Sequence, residues 1–373
     1  MKVTDPEVRF TFEASEAIWR SESGAPAPAR IFRVGDTLTA DGALSRVRRG
    51  EHLLYGGDFH NARQLLSAMS RRLEKHKPRA SGAPLESFRA ERIARQREHE
   101  TLSRILVVLD AGYASSLKRA PKVAEACTSV WGPATAPTFV PLKTLLGILG
   151  AAEWYRKGLE VPGLTGRLHP RYGVFLPTRS EYLELLVQAP DPAGKRVFDI
   201  GTGTGVLSFL LLQRGAANAV GTDVDPRAIA CARENAERLG LAGRFQAQEK
   251  DLFPDGVADL VVCNPPWIPE PPKNRVDRAV FDPDNAFLEA FLAGLPRHLA
   301  PGGQGLLILS NLAELLGLRA PTFLTERLAK AGLEVAFRHS AAARHPRAHD
   351  HAEPLHAARS SEVTTLYGLA ASR

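Results

Sequence analysis

The run Val197-Phe-Asp-Ile-Gly-Thr-Gly-Thr-Gly-Val206 constrains this chain more than any other stretch. A short apolar strand pattern ends in glycines at alternate positions, Gly201, Gly203 and Gly205, and an apolar helical segment follows. Glycine at a strand-to-helix turn permits backbone angles and a close approach that a Cβ forbids, so a ligand can lie on bare backbone at the helix N-terminus. From Arg196 onward strand and helix patterns alternate. The spacing predicts strands at 196–200, 219–223, 244–246, 260–263, 304–309, 333–338 and 363–368, with helices at 206–213, 226–239, 284–299 and 322–331. That rhythm is the pattern of an α/β fold, a parallel sheet with helices on both faces.

The glycine spacing also speaks to the ligand. A dinucleotide site wants Gly-x-Gly-x-x-Gly, with the third glycine serving a pyrophosphate. Here the third glycine comes one residue early and Val206 follows, which suits a ligand without phosphates. Asp199 can hydrogen-bond through the loop Gly201-Thr202-Gly203-Thr204-Gly205 or meet a ligand ammonium group. Asp223, at the end of the second strand, can accept both hydroxyls of a ribose. Asp225 before Pro226 reads instead as a helix cap. Asp251, after the third strand, can read an adenine amine, with Leu252 against the ring.

The fourth strand ends in Asn264-Pro265-Pro266-Trp267. An amide or aromatic amine nitrogen is a poor nucleophile because its lone pair is delocalised. Two acceptors, the Asn264 side-chain oxygen and the Pro265 carbonyl, can take its two N–H groups, aim the lone pair and stabilise positive charge developing on nitrogen. Consecutive prolines set the direction of that carbonyl in advance. Trp267 offers a flat face to a planar group.

Together, Asp199 to Gly205, Asp223, Asp251 and Asn264 to Trp267 resemble the class I S-adenosylmethionine (SAM)-dependent N-methyltransferases. Within these, the chain is similar to the HemK-like protein glutamine methyltransferases and the small-domain rRNA guanine-N2 methyltransferases. Phe175-Leu-Pro-Thr-Arg-Ser-Glu181 also resembles the segment that precedes the HemK catalytic sheet. The similarity covers about residues 170–310. It implies a seven-stranded Rossmann-like sheet with its last strand antiparallel, and SAM as cofactor. It implies SAM contacts at Gly201 to Gly205, Asp223, Leu252 and Asn264, and an acceptor held by Asn264 to Trp267, with no metal required. Trp267 stands where the family usually has Tyr or Phe, and Ile268 to Arg275 departs from the family's usual sequence.

Residues 1–168 read as a separate accessory or substrate-recognition domain, mixed but mainly helical, ahead of a methyltransferase domain at 169–373. Helices are expected from a cap at Asn61 to about 75, and at 85–109, 113–131 and 142–155. A Pro-rich break is expected at 133–141, and 158–170 reads as a linker. The net charge of +7 is uneven: residues 1–170 hold 26 Lys+Arg against 18 Asp+Glu, and residues 171–373 hold 22 against 23. A basic accessory domain suits an anionic partner such as RNA, ribosome-associated or free, and equally a solvated, Arg-rich surface. A polar insertion at 340–361 carries His345, His349, His351 and His356 and reads as a surface loop rather than a metal site. Three scattered cysteines, the lack of an apolar run long enough to span a bilayer and the lack of a signal-peptide pattern point to a cytoplasmic enzyme without membrane segments. Protein glutamine and an RNA base amine are the leading acceptors. A small molecule, or a catalytically silent RNA- or ribosome-binding module on the same scaffold, are the alternatives. Nothing in the sequence sets the oligomeric state.

Overall fold

The computed structural model describes residues 7–22, 24–75, 83–176, 179–273, 276–344, 350 and 354–372. It divides the chain into two compact units, residues 1–81 with 88–153, and residues 82–87 with 154–373. The division falls earlier than the expected 168/169 boundary. Val161, Leu164 and Leu168 belong to the core of the second unit, and the expected linker contains a small hairpin.

The first unit is built on a six-stranded sheet. Its elements are β1 (Val8–Phe12), β2 (Ser15–Trp19), β3 (Ile31–Val34), α1 (Ala40–Arg48), β4 (His52–Tyr55), α2 (Phe59–Glu74), α3 (Pro84–Leu102), β5 (Ile105–Leu109), α4 (Ala124–Trp131), β6 (Thr138–Pro141) and α5 (Leu142–Lys157). Helices α3 and α5 run past the edges of this unit. The strand order is β1-β2-β6-β5-β4-β3, with β3, β4 and β5 mutually parallel. Several helical expectations are corrected here. The segment Ile105–Leu109 is not the end of a long helix but a central strand. Four of its five residues are buried, as befits an apolar run covered on both faces. The expected helix at 113–131 is helical only from Ala124, and the Pro-rich break contains β6. Asp58 rather than Asn61 caps α2, because its carboxylate accepts from the backbone N–H groups of both His60 and Asn61.

The second unit carries β7 (Leu159–Glu160), β8 (Arg167–Leu168), α6 (Glu181–Val187), β9 (Arg196–Ile200), α7 (Val206–Gln213), β10 (Asn218–Asp223), α8 (Pro226–Arg238), β11 (Phe245–Glu249), β12 (Ala258–Cys263), α9 (Ala286–His298), β13 (Leu299–Ser310), α10 (Leu312–Leu315), α11 (Phe323–Lys330), β14 (Leu333–Ala342), α12 (His356–Ser360) and β15 (Val363–Ala371). Seven strands form one sheet in the order β11-β10-β9-β12-β13-β15-β14. Strands β9 to β13 are parallel, and β15 runs antiparallel between β13 and β14. This is the Rossmann-like sheet expected, with the last strand reversed.

Alternate residues of the central strands feed two cores. Val197, Leu260 and Val262 pack with Leu207, Phe209, Leu210 and Ile229 on one face. Phe198, Val261 and Cys263 pack with Leu288, Phe291, Leu292 and Leu295 on the other. Each large apolar side chain taken fully out of water contributes roughly 1.5–3 kcal/mol, so this double burial is what fixes the strand register. Of the histidine-rich insertion, His345, His349 and His351 lie outside the described residues, while His356 opens α12. No group of His, Cys, Asp or Glu among the described residues could hold a metal ion.

Candidate functional site

Register brings the sequence motifs together. Ile200, the last residue of β9, pairs with Thr222 of β10 on one side and Cys263 of β12 on the other. Gly201, Asp223 and Asn264 each follow directly on this rung, at the C-terminal edge of the sheet. The chain order changes direction there: β9 is flanked by β10, which follows it, and by β12, which comes two strands later. Ligands of open α/β sheets bind at such switch points.

The glycine loop is bare. Gly201, Gly203 and Gly205 have φ of +73°, +56° and +86°, values that L side chains rarely adopt. A Cβ on Gly201 would approach Phe287 to 3.7 Å and one on Gly203 would meet nothing closer than 4.0 Å, so the cradle above them is open. Below it, Asp199 is wholly buried. Its Oδ2 accepts from Thr202 Oγ1 at 2.8 Å, Ser208 Oγ at 2.8 Å and Ser208 N at 3.2 Å. Its Oδ1 has no hydrogen-bond partner among the described residues. Burial raises its pKa to about 6 against the opposing pull of those hydrogen bonds. Of the two roles foreseen for Asp199, one oxygen serves the loop and the other is left over. The Thr204 carbonyl accepts from Asn235 Nδ2 at 3.2 Å, which ties the loop to α8.

Asp223 accepts from Gly203 N at 3.1 Å through Oδ2 and from Asp225 N at 2.9 Å through Oδ1, and burial raises its pKa. Each of its oxygens keeps acceptor capacity, since a carboxylate offers about four lone-pair sites. Asp225 caps α8 as read, accepting from Arg227 N. Asp251 is exposed just beyond β11, and Leu252 takes a φ of +52° while its carbonyl accepts from Thr222 Oγ1.

The turn after β12 is held from several directions. Trp267 Nε1 donates to Asn264 Oδ1 at 3.0 Å. Pro265 is buried, while Asn264, Pro266 and Trp267 are half-buried. Ile268 N donates to the Val280 carbonyl at 3.0 Å, and Asp282 N donates back to the Ile268 carbonyl at 2.8 Å. Asn274 and Arg275, also singled out by the sequence, lie outside the described residues, as do Pro177 and Thr178.

Sequence reasoning missed the residues that support this turn. Arg319, buried after α10, donates through Nη2 to the Trp267 carbonyl at 3.0 Å and through Nε to Asn285 Oδ1 at 2.8 Å. Burial lowers its pKa, against the pull of Glu314. Asp282, buried, accepts from the N–H groups of Phe287 and Leu288 at the start of α9, and burial raises its pKa. Asp284 and Asn285 both take left-handed φ, so the expected helix at 284 begins at Ala286. The Asp-Pro-Asp-Asn run was the available signal for a strained turn there. Arg179 stands in the segment Phe175 to Glu181 that the sequence singled out, but its pairing with Glu362, 183 residues away, gave no local signal.

Comparison with known proteins agrees with this architecture. The family model for ribosomal protein L11 methyltransferase (PrmA) matches residues 177–265. A Methanocaldococcus jannaschii protein assigned by name to the protein N5-glutamine methyltransferases is 33% identical over 162 residues, 41% of this chain and 80% of that one. The chain belongs to the class I SAM-dependent N-methyltransferases. The release factor glutamine methyltransferase of Cereibacter sphaeroides is 40% identical to this methyltransferase over 126 residues, 30% of this chain and 45% of that one. Ribosomal RNA small subunit methyltransferase C of Chromohalobacter salexigens is 35% identical over 169 residues, 44% of this chain and 46% of that one. The methyltransferase thus spans under half the length of these last two relatives. No helix among the described residues is long and apolar enough to cross a membrane.

Proposed function

We propose that this methyltransferase transfers the methyl group of SAM to the side-chain amide nitrogen of a protein glutamine. In this reading Gly201, Thr202, Gly203, Thr204, Gly205, Asp223, Asp251, Leu252 and Asn264 hold the cofactor. The free Asp199 oxygen offers its ammonium group a partner, and Asn264, Pro265, Pro266 and Trp267 hold the acceptor. The observation that carries it is the shared rung: Ile200 pairs with Cys263, so a bare cradle and a two-acceptor turn leave neighbouring strands at one level. An open glycine cradle over a buried, half-satisfied carboxylate suits a phosphate-free ligand with a cationic end. The relative matched over most of its own length supports glutamine as the acceptor.

When bound, SAM supplies a methyl group already activated on a positively charged sulfonium. The remaining work is positional. Asn264 Oδ1 spends one lone pair on the Trp267 indole and keeps one for a substrate N–H. The Pro265 carbonyl takes the second N–H, and the two dipoles stabilise the charge that grows on nitrogen. Arg319 anchors the Trp267 carbonyl and so limits drift of the turn.

An RNA base amine is the second reading, favoured by the similarity to the rRNA enzyme and by the basic residues 1–170, which hold 26 Lys+Arg against 18 Asp+Glu. Radiolabelled SAM incubated with the enzyme and host lysate, followed by separate protease and ribonuclease digestion, decides between them. Label released by protease and recovered as methylated glutamine is the expected outcome. Label released by ribonuclease transfers the assignment to a base.

A further inference from the structure

A cluster outside the motifs converges on the acceptor turn. Arg179 lies ahead of α6, Glu362 ahead of β15 and Ser310 at the end of β13, the same edge of the sheet that carries the turn after β12. Arg179 donates through Nε to Glu181 Oε1 at 2.6 Å and through Nη1 to Glu362 Oε1 at 2.9 Å. Ser310 Oγ donates to that same Glu362 oxygen at 2.7 Å. Glu181 and Glu362 are 1% and 0% exposed. Two buried carboxylates therefore fix the guanidinium plane. Its Nη2 has no hydrogen-bond partner among the described residues, and its carbon lies 5.0 Å from the centroid of the Trp267 ring. A guanidinium this close to an indole is drawn to the ring's negative face, and an Arg plane stacks where a Lys ammonium cannot.

Trp267 in turn acts on Asn264. An indole nitrogen only donates, whereas a carboxamide presents an accepting oxygen on one side and a donating nitrogen on the other. The 3.0 Å bond from Trp267 Nε1 therefore decides which way round the Asn264 amide sits. A Phe or Tyr ring at this position offers no such ring N–H.

We propose that Arg179 is a positioning residue for methyl transfer: clamped by Glu181 and Glu362, it holds the Trp267 indole so that its N–H keeps the Asn264 oxygen available to the acceptor nitrogen. This rests on the reading of Asn264 as the residue that holds the acceptor, and it assigns the Trp in place of Tyr or Phe a task beyond stacking. Arg179 touches neither cofactor nor reacting atoms in this scheme and acts through Trp267.

The test has a spectroscopic arm and a kinetic arm, both on the full chain. Four tryptophans give four indole N–H signals, and the one lost in Trp267→Phe belongs to Trp267. Arg179→Lys keeps the charge between the two carboxylates, where Arg179→Ala would leave them unpaired and threaten folding. In Arg179→Lys the Trp267 indole signal shifts and its hydrogen exchange quickens about five- to tenfold, the worth of one net hydrogen bond. With the acceptor found in the lysate experiment, kcat falls by about tenfold or more while SAM affinity stays within about twofold. Trp267→Phe reproduces the kcat loss. An unmoved indole signal in Arg179→Lys overturns the proposal, as does a moved signal with unchanged kcat. If the wild type methylates nothing, the functional reading fails on that result alone, while the indole signal still decides whether Arg179 sets the ring.

Discussion

The two halves of the site sit on adjoining strand ends and are made in opposite ways. The loop after β9 works by what it lacks: Gly201 and Gly203 leave open backbone, Gly205 makes room for the Phe209 ring, and the buried carboxylate of Asp199 supports the loop from beneath. The turn after β12 works by what surrounds it: Trp267 bonds Asn264, Arg319 bonds Trp267, and Arg179 faces the Trp267 ring. The carboxylate under the first half comes from the same short run, Asp199 to Ser208, whereas the second is assembled from distant chain. Substitutions should therefore separate them, cofactor binding failing through the loop and turnover through the turn.

The largest expected effect is Asn264→Ala. Loss of one preorganised acceptor should lower kcat by about 100- to 1,000-fold while SAM affinity, measured by calorimetry, changes far less. Equal losses in both would merge the two halves. Arg319→Met strips partners from Asn285 and the Trp267 carbonyl and should lower unfolding stability by about 3 kcal/mol, read from denaturant midpoints. On the cofactor side, Asp199 meets an ammonium only when ionised, and its pKa is near 6. SAM affinity should therefore weaken about fivefold from pH 6 to pH 5. The same group acts on the empty fold with opposite sign. A carboxyl whose folded pKa lies above its unfolded one contributes stability below the unfolded value, and that stability is lost as pH rises through about 6. A SAM affinity flat across that range removes Asp199 from the cofactor's contacts. The smallest effect is Asp225→Ala, which removes the α8 cap and should cost about 1 kcal/mol without altering kcat.

The same contrast governs what the sequence revealed. Gly201 to Gly205 announce themselves because the constraint is local: a backbone in the left-handed region favours glycine. The strands of the second unit were legible because strand and helix patterns alternate there without interruption. In the first unit Ile105–Leu109 follows directly on a charged helix, and a short apolar run after a helix is ambiguous until its neighbours β4 and β6 are known. Asn264 and Trp267 were visible as residues, but the bond between them was not, since it depends on how the turn folds. Arg319 left no trace and Arg179 showed only as part of a resembling segment, because the role of such an arginine is set by its tertiary partners, 52 residues away for the Trp267 carbonyl and 183 for Glu362.

Strand β12 slots between β9 and β13, and both of these flank it in space while lying on opposite sides of it along the chain. A nascent chain that has emerged only as far as β11 thus owns a cofactor cradle with nothing opposite it. On the proposed reading, the acceptor turn comes level with that cradle only once β12 has paired with β9, so methyl transfer waits on this one pairing.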